Sequence, residues 1–228
     1  MRKLYQNLAF EKFRQTAFPL TPYQSPVIGY MHHLQNIELK DLQQWYQTWY
    51  APNNASVVIV GDVDAQYALH QVQRFFGDIP AKALPTRVQL KHPTDIGYRH
   101  VNFQQNTEVP NLYMGWNVPS LSTASHHKDA YSLMLLKHLL AGNASSRIHR
   151  QLIQQDKVLT TANIGYDFIQ RGDTLFNITA IPTQGISLSI AQQKINALFE
   201  DLKTNLITHD ELEQVKTQVI AQHIYSQD

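Results

Sequence analysis

Histidine is the residue type in this chain best able to do chemistry. Eleven of the 228 residues are His and none is Cys, which removes thiolate metal sites, cysteine nucleophiles and disulfides together. Two imidazoles on one helix face with a carboxylate beside them would read His-Glu-x-x-His or the inverted His-x-x-Glu-His, and neither occurs. The clusters that do occur are His32-His33, His126-His127, and His138 with His149. Adjacent side chains on a helix point about 100° apart, so such pairs do not close on one ion and read as solvated or packing histidines. Ser145-Ser146 follows Gly142-Asn143 without a Gly-x-Ser-x-Gly elbow, so these serines are expected to cap a short helix. Gly61-Asp62-x-Asp64 lacks the further glycines of a phosphate loop and reads as a strand end followed by a helix cap. Trp45, Tyr46, Trp49 and Tyr50 recur at helical spacing and are expected to form a core face.

Composition narrows the partners. Hydrophobic residues are 43% and charged residues 16%, well under the roughly 25% charged that is usual. Nineteen Lys and Arg against 18 Asp and Glu leave a net charge of +1, too little for the electrostatic footprint of nucleic acid or anionic lipid binding. Polarity is carried instead by 24 Gln. No stretch approaches the ~20 apolar residues that span a bilayer. Met1-Arg2-Lys3 leads into an amphipathic segment and not an apolar signal core. Neither nucleic acid nor membrane is expected as a partner.

The elements that must position any site follow from periodicity. Leu4, Leu8, Ala9 and Phe13 predict a helix that ends where Pro19, Pro22 and Pro26 begin an extended loop. Asn36 is placed to cap a second helix, with Leu39, Leu42, Tyr46 and Trp49 inward. Ala55 to Val60, in which Val57, Val58, Ile59 and Val60 are β-branched, predicts a buried strand ended by Gly61-Asp62. Asp64 opens a helix that Gly77 is expected to stop in a left-handed conformation. Residues 81–96 read as a linker, dividing residues 1–80 from residues 97–228.

Beyond the linker, Tyr98–Gln104 and Asn111–Val118 predict strands, His126–Leu140 a helix and Ser146–Gln155 a short helix. Val158–Phe168 and Thr174–Ile181 form an antiparallel hairpin around Arg171-Gly172-Asp173. A helix containing Leu198-Phe199 and a last helix opened by the capping box Thr208-to-Glu211 complete the chain. Strand 57–60 with its helix and strand 175–181 with its helix hint at a duplicated unit. The expected class is α+β: antiparallel sheet flanked by helices in two layers.

Three stretches carry a resemblance. They are Thr21-Pro22-Tyr23-Gln24-Ser25-Pro26, then Trp49-Tyr50-Ala51-Pro52-Asn53-Asn54-Ala55, then Val57-Val58-Ile59-Val60-Gly61-Asp62-Val63. With Phe75-Phe76-Gly77-Asp78-Ile79-Pro80 and Ser145-Ser146-Arg147-Ile148 in the same order, this succession resembles the pitrilysin-like zinc metallopeptidases, the inverzincins, relatives of insulin-degrading enzyme and mitochondrial processing peptidase. The resemblance implies duplicated metallopeptidase-type domains: residues 1–80 as the C-terminal part of a first domain, incomplete here, and residues 97–228 as most of a second. It implies a zinc-dependent endopeptidase acting on short or unfolded peptides, with the zinc ligands upstream of Met1 and no catalytic or metal-ligating residue in this segment. This segment is therefore expected to be inactive.

The same resemblance assigns an Arg and a Tyr that bind substrate backbone and oxyanion to the positions of Ile153 and Thr160, and neither side chain can do that work. That substitution implies a metal-bearing parent completed by a second, Arg/Tyr-bearing subunit. A catalytically inactive family member serving as a structural subunit is the alternative. An incomplete first domain would expose Trp45 and Trp49 and favour self-association. Bacterial members of this type suggest a periplasmic location, with a cytoplasmic one as the alternative.

Overall fold

The computed structural model describes residues 2–86, 97–104 and 109–225. Most of the expected linker, residues 87–96, lies outside them. The chain divides into two compact units: Met1–Ser25 with Lys91–Asp228, and Pro26–Leu90. The first helix, α1 (Arg2–Ala17), thus groups with the sheet-bearing stretch far along the chain and not with the residues that directly follow it.

The smaller unit is helical. It contains a single turn, α2 (Met31–Leu34), then α3 (Leu39–Trp49) and α4 (Ala65–Phe76). Glu38, and not Asn36, caps α3: a reciprocal capping box joins Glu38 and Asp41, whose carboxylate accepts the Glu38 amide at 3.0 Å. An acidic side chain there also meets the positive end of the helix dipole. Asn36 instead donates its side-chain amide to the His32 carbonyl. Asp64 caps α4 as expected, accepting the Tyr67 amide at 2.8 Å. Gly77 closes that helix in the right-handed region, its amide bonded to the Gln73 carbonyl, so the left-handed stop does not form.

Ala55–Val60 lies outside any helix or strand and is exposed, and it pairs with no strand among the described residues. The expectation of a buried strand fails here because β-branched composition sets a backbone shape, whereas a strand needs a neighbour. Tyr98–Gln104, also expected as a strand, likewise makes no ladder among the described residues.

The larger unit holds one antiparallel sheet in the order β1-β3-β2, built from β1 (Leu112–Val118), β2 (Leu159–Tyr166) and β3 (Thr174–Pro182). Met114 and Ile164 both lie opposite Ile178, and Trp116 and Tyr166 lie opposite Phe176. These period-2 positions turn toward two helices, α5 (His127–Ala141) and α6 (Leu188–Thr204), and α7 (His209–Tyr225) packs against α5. Leu140 of α5, Ile195 and Leu198 of α6, and Ile164, Phe176 and Ile178 of the sheet join one buried cluster. Helices flanking an antiparallel sheet make this α+β unit.

Alternate residues face the other way. Phe13 of α1 stacks on Tyr113 at 5.7 Å, and Asn117 donates its amide to the Ala17 carbonyl at 3.1 Å. Gly115 lies between them because a Cβ there would stand 2.7 Å from the Phe13 ring.

Candidate functional site

The backbone of the larger unit is least regular between Ala141 and Ala162. Residues His149–Gln155 form a π-helix, Lys157 is the only positive-φ residue other than glycine among the described residues (52°), and a register shift between Leu159 and Thr161 bulges β2 at Thr160. Such irregularities cluster at functional sites because they cost free energy that a regular element would not. Ile153 lies on the π-helix and Thr160 at the bulge, so the two positions singled out by resemblance fall on these two distortions. Ile153 packs against the buried cluster. Thr160 is exposed and donates its hydroxyl to the Pro182 carbonyl at 3.5 Å.

A cavity of about 190 Å3 opens between these elements, lined by Ala141, Asn143, Ser146, Ile148, His149, Ile153 and Ala162. Asn143 organises its rim: Oδ1 accepts the Ser145 amide at 2.7 Å and Nδ2 donates to Gln218 Oε1 at 2.7 Å. Ser146 Oγ donates to the Asn143 carbonyl at 2.6 Å. The serines were expected to cap the following helix. Their turn is instead locked by Asn143, and the Ser146 hydroxyl is engaged by a carbonyl and not by a base that could activate it.

Behind this turn, Arg147 grips Glu211 with both arms of its guanidinium, Nε to Oε1 at 2.8 Å and Nη2 to Oε2 at 2.7 Å, while Nη1 donates to the Asn205 carbonyl at 3.3 Å. The Arg147 hydrogen bond holds the Glu211 carboxyl below its usual range, against burial, which pushes it up. Sequence reasoning placed Glu211 in a capping box with Thr208. Half of that box forms, since Thr208 Oγ1 accepts the Glu211 amide at 3.2 Å, but the Glu211 carboxylate turns to Arg147.

Among the described residues the histidines do not converge. The His32 and His33 rings lie 4.0 Å apart beside Tyr30 on the helical unit, His126 and His127 sit at the start of α5, and burial pushes the His138 imidazole down. Among the described residues no three His, Cys, Asp or Glu side chains come together to hold a metal ion. The described residues offer no donor set that fits zinc.

A second concavity belongs to the helical unit. It is an open groove of about 1200 Å3 whose walls include Trp45, Tyr46, Trp49, Tyr50, Val57 and Phe76. The aromatic block expected as a core face is exposed at Trp45, Tyr46 and Tyr50, with Tyr46 stacked on Tyr50 at 4.5 Å.

A family model described as the peptidase M16 inactive domain matches residues 36–219. The chain belongs to the M16 peptidase family. This M16 chain is 29% identical over 213 residues to a protein named zinc protease PqqE from Helicobacter pylori, covering 92% of the chain and 47% of that protein. Its fold matches the crystal structure of a protease from Helicobacter pylori with a TM-score of 0.81 at 30% identity, over 94% of this chain and 51% of that one. It also matches the periplasmic protease PqqL from Escherichia coli with a TM-score of 0.64 at 18% identity, over 92% of this chain and 24% of that one. The M16 chain thus spans about half the length of the Helicobacter pylori protein. No helix among its described residues is long and apolar enough to cross a membrane.

Proposed function

We propose that this chain is the non-catalytic portion of a zinc-dependent M16 endopeptidase that acts on short or unfolded peptides. The match of residues 36–219 to the inactive domain carries this reading. In this reading zinc and its general base belong to polypeptide outside the 228 residues. The first of two duplicated domains is only partly present, and Ile153 and Thr160 leave the substrate-backbone and oxyanion contacts to a second, Arg/Tyr-bearing subunit. The periplasm is the proposed compartment.

The test has two readouts on the purified chain: zinc per polypeptide by elemental analysis, and cleavage of a fluorescence-quenched, unstructured peptide. Substoichiometric zinc and no turnover are expected, with turnover appearing when a zinc-bearing M16 half and an Arg/Tyr-bearing subunit are both added. One zinc per 228-residue chain with turnover in its own right would refute the reading.

A further inference from the structure

Packed interiors leave few voids larger than a water molecule, so a cavity of about 190 Å3 beside the core needs a reason. Its walls are apolar: Ile148 belongs to the buried cluster, and Ala141, Ile153 and Ala162 pack against it. A larger aliphatic residue in place of either alanine would close the space. The backbone around it departs from regularity in the same sense. The π-helix that carries Ile153 has a wider turn than an α-helix, and the register shift at Thr160 bends β2 out of even pairing.

The polar groups lining the cavity are not equivalent. Asn143 engages both ends of its amide, with the Ser145 amide and with Gln218, and the Ser146 hydroxyl donates to the Asn143 carbonyl. His149, half-buried and also lining the cavity, makes no hydrogen bond among the described residues. An imidazole has two nitrogens for hydrogen bonding, so whatever displaces water beside it must bring a hydrogen-bonding atom or leave the ring unsatisfied. Size bounds the rest of the occupant, since an apolar cavity of about 150 Å3 takes up benzene. Ile153 stands where the resemblance expects an arginine directed at peptide backbone, and this chain puts an apolar wall there in place of a cation. Such a wall suits a side chain or a small molecule and not a backbone carbonyl.

We infer that the cavity between the end of α5, the π-helix and β2 binds a compact branched aliphatic or aromatic group that carries one hydrogen-bonding end. The group lies against Ala141, Ile148, Ile153 and Ala162, and its polar end meets His149. Two sources share this chemistry: an apolar side chain of a peptide together with its own amide, and a free small molecule of the phenol class. The inference rests on the walls of the cavity, and only the peptide source rests on the proposed function.

Methyl NMR of the 228-residue chain, with alanine and isoleucine methyls labelled, tests it. The probes are N-acetyl-leucinamide for a peptide side chain, phenol for a free molecule and N-acetylglycinamide for backbone alone. Saturable shifts of the Ala141, Ile148, Ile153 and Ala162 methyls are expected with N-acetyl-leucinamide or phenol, and none with N-acetylglycinamide. Saturation by N-acetyl-leucinamide assigns the pocket to a peptide side chain, and saturation by phenol alone assigns it to a small molecule. Ala162→Leu, which fills the space, removes the binding, and the milder Ala162→Val weakens it. His149→Ala weakens the probe that binds about five- to tenfold, the loss of one hydrogen bond, while benzene, which offers an imidazole no such bond, is held as before. No saturable shift at these methyls with any probe overturns the inference. So does an equal response to N-acetylglycinamide, or undiminished binding in Ala162→Leu, or in Ala162→Val where Ala162→Leu does not fold. No turnover or zinc is measured, so its failure is separate from failure of the proposed function.

Discussion

At the scale of single residues, the Arg147–Glu211 pair holds α7 to the turn at Asn143–Ser146. Its side chains are 14% and 26% exposed, so the pair is shielded enough to matter, unlike the exposed pair Lys40–Glu38. Removing one partner by Glu211→Gln costs about 1–3 kcal/mol at neutral pH, read from urea midpoints. The sign of the pH dependence follows from the carboxyl being held below its ordinary 4.5 by the Arg147 hydrogen bond. A folded value below the unfolded one gives stabilisation that is fully present above the unfolded value and lost as pH falls through the folded one. Parent and variant midpoints therefore converge on acidification, and equal gaps at neutral and strongly acid pH would contradict the assignment. Ile153→Arg is a second residue-scale test. It sets a charge against a position packed on the buried cluster and lowers stability by about 1–3 kcal/mol without creating a zinc-dependent activity in the chain by itself.

The elements are held by close approaches that two glycines permit. An added Cβ at Gly115 would meet the Phe13 ring at 2.7 Å, while one at Gly165 would meet Asn177 Oδ1 at 2.6 Å. The ring belongs to a packed aromatic group with Phe10 and Tyr113, whereas the amide is the far end of a side chain that can turn away. Gly115→Ala is therefore expected to cost about 1–3 kcal/mol as overpacking and to speed amide exchange in residues 8–17, where α1 lifts from the sheet. Gly165→Ala is expected to cost less than about 1 kcal/mol, and Asn177→Ala in the same chain to remove that cost. The hairpin of β2 and β3 and the helices α5, α6 and α7 were legible from periodicity and caps, because each signal is local. Glu38 as the cap of α3 was missed because Glu, unlike Asn, Asp and Ser, is not among the favoured cap residues, and here the reciprocal bond with Asp41 decides it.

For the whole molecule, stability is distributed unevenly. The buried cluster lies entirely in the unit formed by residues 2–25 and 97–225, while Pro26–Leu90 holds Ala51 as its one buried residue among those described. Local opening is easiest where few apolar groups are buried. Limited proteolysis of the 228-residue chain is thus expected to cut first within Pro26–Leu90 and to leave residues 112–215 intact, with mass spectrometry locating the sites. First cuts inside β3 or α6 would contradict this distribution. The grouping of α1 with the sheet follows from Phe10 and Phe13 meeting Tyr113, a contact about a hundred residues away in sequence that helical periodicity alone cannot name.

The amino-acid sequence by itself determined the helical and strand character of most elements, the α+β class and the family, because these depend on local backbone preference and on ordered runs of residues. Tertiary structure decided which of the extended runs are strands, which partner Glu211 takes, that Ile153 and Thr160 fall on a π-helix and a bulge, and that the Trp45–Tyr50 face lies open. A ladder, an ion pair and a buried face are properties of two surfaces meeting. Ala55–Val60 carries one of those surfaces in its sequence and nothing about the other.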